Sequence, residues 1–65
     1  MSDFEDAVYD QASEDAQVNR YIEQGQYQKA RNRIWQIAQK VAEFFDHIAT
    51  IVNAVNTVLS WLGIK

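Results

Sequence analysis

Apolar residues recur with a heptad period through the C-terminal two-thirds of the chain, and no other feature limits the fold as much. Ile34, Val41, Ile48, Val55 and Leu62 stand seven residues apart. Ile37, Phe44, Ile51 and Val58 follow three residues after each of the first four, and Ala38, Phe45, Val52 and Leu59 lie beside them. These are the a, d and e positions of a heptad, which share one face of a helix. The opposite face reads Gln39, Asp46, Asn53 and Ser60, flanked by Gln36, Glu43, Thr50 and Thr57. The alternation of a β-strand is absent. There is no proline, and the two glycines, Gly25 and Gly63, stand at the ends of the run. The pattern predicts one continuous helix over residues 27–62, about 35 residues and roughly 50 Å long, in coiled-coil register. The alternative is a break near Asp46 or Asn53, either of them a tolerable N-cap, that folds the second half back into a three-helix bundle.

The N-terminal segment carries a weaker signal. Ser2 and Glu5 have the spacing of a capping box, which starts a helix at residue 3. Phe4, Ala7, Val8, Val18, Tyr21 and Ile22 fall on roughly one face, although Asp15 intrudes on it and Gln11 dilutes it. A helix over residues 3–24 is expected, with a weak point near residues 10–13 and a second start available at Ser13. Gly25 suits the left-handed residue that ends a helix, so residues 25–26 form the turn. The fold class is therefore all-α, a helical hairpin with a short N-terminal and a long C-terminal helix in a single domain, residues 1–65.

Charge supports antiparallel docking of the two helices. Residues 1–19 hold six acids and no base, whereas residues 20–40 hold five bases against Glu23 alone. A reversal at Gly25 makes facing residue numbers sum to about 50, which sets Asp10 near Lys40 and Glu14 and Asp15 near Gln36. Asp10, Glu14, Asp15, Arg31, Arg33 and Lys40 are the charges expected to pair, within the hairpin or between subunits. Each exposed pair contributes only ~0–1 kcal/mol, so the charges set orientation more than stability.

The shorter helix would run out opposite residue ~49 of the longer one. Ile51, Val52, Val55, Val58, Leu59, Trp61, Leu62 and Ile64 would then lack cover within the chain, at ~1.5–3 kcal/mol of unused burial for each large side chain. All of these but Ile64, together with Ile48, would form the subunit contacts. The expected cover is more copies of the same chain. Isoleucine at a and d with an apolar e position favours assemblies above the dimer, and a head-to-tail contact that does not close gives a filament or tube. On that reading the protein is a structural subunit, Val55→Asp with Leu59→Asp dissolves the assembly, and residues 27–45 stay helical. A membrane or a larger protein partner are the alternatives. Residues 48–64 are uncharged, about 25 Å as a helix, short for a ~30 Å hydrocarbon core and marked by the polar stripe Thr50, Asn53, Thr57 and Ser60. The acids Asp3, Asp6, Asp10 and Glu14 align on one helix face and could meet a basic cleft on a larger protein.

Little in the sequence points to chemistry. There is no cysteine and a single histidine, His47, so neither a disulfide nor a dedicated zinc site is expected. Glu43 and His47 are spaced i, i+4, which more often gives a surface hydrogen bond than a metal site. No nucleophile motif or phosphate-binding glycine loop is present. Catalytic, cofactor and metal sites are all expected to be absent. Lys29, Arg31, Arg33 and Lys40, with Tyr27 and Trp35 interleaved, would be the contacts of a nucleic acid, but the net charge of −3 opposes one. The acidic N-terminus lacks the basic and apolar regions of a secretory signal. The expected location is the cytoplasm, or outside the cell by a route without N-terminal processing.

Two resemblances follow from these residues. The spacing Tyr21-x-x-x-Gly25-x-Tyr27-x-x-Ala30 is similar to the middle of a tetratricopeptide repeat, which implies a tight helix–turn–helix at Gly25. One copy cannot make a solenoid. The plan of short helix, turn and long C-terminal helix resembles the needle and inner-rod subunits of type III secretion systems, which implies helical stacking into a hollow tube. Those proteins typically carry a proline in the inter-helix loop, which this sequence lacks, and no residue role is carried over.

Overall fold

The computed structural model describes residues 3–45 and 51–64. Among them are four helices and no strand: α1 (Asp3–Glu14), α2 (Ala16–Glu23), α3 (Tyr27–Phe45) and α4 (Ile51–Trp61). The all-α expectation holds. The two-helix hairpin does not, because both of its arms are interrupted.

Asp15 divides the first arm. Its backbone is extended (φ −75°, ψ 122°), and its carboxylate accepts a hydrogen bond from the Val18 amide at 3.0 Å. That is an N-cap, satisfying one of the four donors that the start of a helix leaves open. An aspartate on the apolar face of a continuous helix would have to desolvate its charge. As a cap it leaves that face, and α2 starts afresh behind it. The break therefore falls at residue 15 instead of residues 10–13, and Ser13 remains inside α1. Ser2, the expected cap of α1, lies outside the described residues.

Both glycines end helices. Gly25 has φ +71°, its amide bonds the Ile22 carbonyl, and the Gln26 amide bonds the Tyr21 carbonyl. Gly63 repeats the geometry with φ +78°, its amide on Ser60 and the Ile64 amide on Leu59. These are Schellman motifs, which need a left-handed residue that glycine adopts without strain. In the second, the buried Ile64 and Leu59 supply the apolar contact that accompanies such a cap. Gln26 also accepts from Ala30 at 3.1 Å, so the stop of α2 is at once the start of α3. The tight turn implied by Tyr21, Gly25, Tyr27 and Ala30 is present.

The continuous helix over residues 27–62 is replaced by α3 and α4, and α4 packs on both α1 and α3. Such a helix would be roughly 50 Å long, whereas the longest extent of the fold is 33 Å. Arg31 near the start of α3 and Ser60 and Gly63 at the end of α4 line one cavity, so the two helices are antiparallel. α3 ends at Phe45 and α4 begins at Ile51, with Asn53 inside α4. Asp46, His47, Ile48 and Thr50 are outside the described residues. The architecture is that of the folded-back alternative: α1, α3 and α4 as three packed arms, with α2 continuing the first arm along α3.

Magnitudes explain why the chain covers itself. Closing a connection of five residues costs about 1–2 kcal/mol by the logarithmic law. Recruiting a second molecule costs an estimated ~4–15 kcal/mol of translational and rotational freedom. The apolar gain on α4 is similar either way, so the intramolecular cover is preferred. The single core runs from Phe4, Val8 and Ala12 of α1 through Val18 of α2 and Ile34, Ala38 and Val41 of α3 to Val55, Val58 and Leu59 of α4. Among the described residues, five of the fourteen buried ones are alanine, which lets the backbones approach closely enough to fill so small an interior.

Candidate interaction surface

The α1–α3 face carries the features that the core leaves over. The two helices are antiparallel: Phe4 meets Phe45 with ring centroids 5.9 Å apart at one end, and Asp15 meets Arg33 at the other. Facing residue numbers sum to 48 and 49, close to the expected 50. Between the ends runs a groove of about 410 Å³ with Ala7, Ile37 and Val41 on its apolar surface and Gln11, Lys40 and Phe44 among its other lining residues.

The heptad explains why this groove is apolar. The a and e residues of α3, Ile34, Ala38 and Val41, turn into the core together with Ala42. The d residues do not follow them. Ile37 is half-buried in the groove and Phe44 is 90% exposed, the most open large apolar side chain among the described residues. A stripe three positions wide is broader than α1 and α4 can jointly cover, so its outer row stays at the surface.

Asp15 and Arg33 close one end of the groove. Arg33 donates from Nε to Oδ2 and from Nη2 to Oδ1 of Asp15, both at 3.1 Å, a bidentate fork that holds two planar groups in one orientation. The Arg33 guanidinium holds the Asp15 carboxyl below the usual carboxylate range, helped by the Val18 amide and opposed by partial burial. Asp15 in turn raises the Arg33 pKa.

Of the charges expected to pair, this couple is joined within the molecule. Asp10, Glu14 and Lys40 are exposed and have no ion pair among the described residues. Arg31 is half-buried against the C-terminal end of α4, away from the groove. Lys29, Arg33 and Lys40 therefore do not form one patch with Arg31, and Arg33 is already neutralised. On α1, Asp3, Asp10 and Glu14 are exposed and Asp6 is half-buried.

The residues expected to bind neighbouring subunits are distributed differently. Val55, Val58 and Leu59 are 1%, 0% and 5% exposed, in the molecule's own core, and Ile51 and Leu62 are half-buried against it. Trp61 packs edge-on against Tyr9 with centroids 5.5 Å apart and is part-exposed. Val52 is exposed, and Ile48 lies outside the described residues. The premise that α4 lacks cover is thus corrected. The polar stripe keeps its orientation, with Asn53 and Ser60 exposed and Thr57 half-buried.

Among the described residues no cluster of three or more metal-ligating side chains occurs. No described helix is long and apolar enough to cross a membrane. In comparisons with known proteins, the chain matches no family model, no curated protein and no solved structure.

Proposed function

We propose that the protein is a structural, self-associating helical module that acts by binding and not by catalysis, and that it docks through the α1–α3 face instead of through α4. The observation that carries this reading is Phe44, at 90% exposure the most open large apolar side chain among the described residues, beside an apolar groove. Exposed aromatics next to a concave apolar surface are a common anchor-and-pocket arrangement at protein interfaces. The domain is also small, and chains of this size often gain stability from a partner. A subunit role thus remains the proposal, with its contact surface moved from the apolar face of α4 to the d row of α3. The likeness in plan to secretion needles loses its basis with the long helix, and no tube is proposed.

Sedimentation over a wide range of concentrations tests the reading. The weight-average mass is expected to rise above 7.5 kDa with concentration, and Phe44→Asp is expected to hold it at the single-chain value with helicity unchanged. A wild-type mass that stays at one chain at millimolar concentration would show that Phe44 serves something else.

A further inference from the structure

Resting on the self-association reading, we infer that the partner at this face is a second copy related by a two-fold axis running along the groove, so that α1 of each protomer lies over α3 of the other. The argument is charge complementarity across the face. One edge of the groove belongs to α1, where Asp3, Ala7, Asp10 and Glu14 follow at spacings of three and four, with Gln11 four residues after Ala7, and so share one side of the helix. Ala7 and Gln11 line the groove, and Asp3, Asp10 and Glu14 stand exposed next to them. The other edge belongs to α3, where Ile37, Lys40 and Phe44 share a side by the same spacing and Lys40 is exposed.

The face therefore has an acidic border, an apolar middle and a border that carries the cation Lys40. Two-fold rotation about an axis parallel to the helices exchanges the borders, placing the acids of one copy over Lys40 of the other twice in one contact. The same operation brings each Phe44 against the apolar middle of its partner. Rotation about the perpendicular in-plane axis would instead stack α1 on α1 and bring six exposed acids together. The interface is isologous, so it closes at two chains and does not propagate as a filament.

Three variants test the arrangement. Lys40→Glu makes both borders acidic, and Asp10→Lys with Glu14→Lys makes both basic. Each alone is expected to raise the dimer dissociation constant about tenfold or more. A one-to-one mixture of the two is expected to dimerise again, which a contact within one chain cannot produce. Carrying all three substitutions on one chain is expected to restore the homodimer, and failure to do so would exclude α1 over α3. Thermal melts at concentrations where each protein is a monomer check that the exposed substitutions leave the fold intact. Should a reversal unfold the chain, Lys40→Gln and Asp10→Asn replace it, and unchanged association in both would overturn the arrangement. The outcomes separate the two levels of the reading. A wild-type protein that stays monomeric rejects self-association itself. Association that ignores the variants, or that grows beyond two chains, rejects only this geometry.

Discussion

Asp15 illustrates how one residue sets local structure and packing together. Its carboxylate caps α2 through the Val18 amide and pins α3 through Arg33, so a side chain that spoils the apolar pattern of residues 3–24 becomes a hinge with both oxygens occupied. Its pKa is lowered in the fold, so it contributes stability above the unfolded carboxylate range near ~3.9, and that contribution is lost as pH falls through the lower folded value. Asp15→Asn is therefore expected to melt several degrees below wild type at pH 7, where losing the charge weakens the Arg33 bond and costs about 1 kcal/mol. The gap is expected to narrow at an acid pH below the folded value, where protonation removes the same charge from the wild-type carboxyl. Urea melts of both proteins at the two pH values check this, and a gap that is the same at both would mean the charge has no part in it. Asp15 was visible from its position as an intrusion on an apolar face, but its partner was not. Arg33 could be named only as one of several bases opposite several acids, since helical spacing sets proximity and not which fork closes.

At the level of elements, the helix stops were legible and the helix break before α4 was not. Gly25 and Gly63 announce their ends because only a residue free to take positive φ closes a Schellman motif without strain. No comparable residue stands between Phe45 and Ile51, and the heptad register passes through that stretch. A periodic pattern reports which side of a helix is apolar, whichever neighbour covers it. It therefore reads the same for one rod and for two shorter helices folded together. The distinction has a sharp consequence at Val55. On an external contact surface, Val55→Asp would dissociate subunits and leave the remaining helices folded. In the fold described here Val55 is 1% exposed, and burying a charge there costs on the order of 4 kcal/mol or more, comparable to the whole stability of so small a domain. Circular dichroism should show the variant largely unfolded at 25 °C in dilute solution. A variant that retains full helicity would place α4 outside the core.

For the whole molecule, the decisive quantity is the separation of the chain's two latter arms. A continuous helix would put residues 28 and 60 about 48 Å apart, beyond the 33 Å longest extent of the fold. Nitroxides at Gln28 and Ser60, both exposed, should give a dipolar distance far below 48 Å in a sample diluted with unlabelled protein. A distribution centred near that length would restore the rod and, with it, the uncovered apolar surface.

The helical class, the positions of both glycine caps, the antiparallel pairing of acidic and basic arms and the poverty of chemical motifs all follow from the sequence. Each depends on local spacing, residue type or summed charge. Which face of the heptad stripe turns inward, that the last helix packs on α1 and α3 instead of on a neighbour, and that Phe44 is left outside were decided by tertiary packing. The reason lies in the competition among possible covers. A chain that can reach its own apolar surface through a short connection loses far less freedom than one that must find another molecule, and nothing in the periodicity of the stripe encodes that difference.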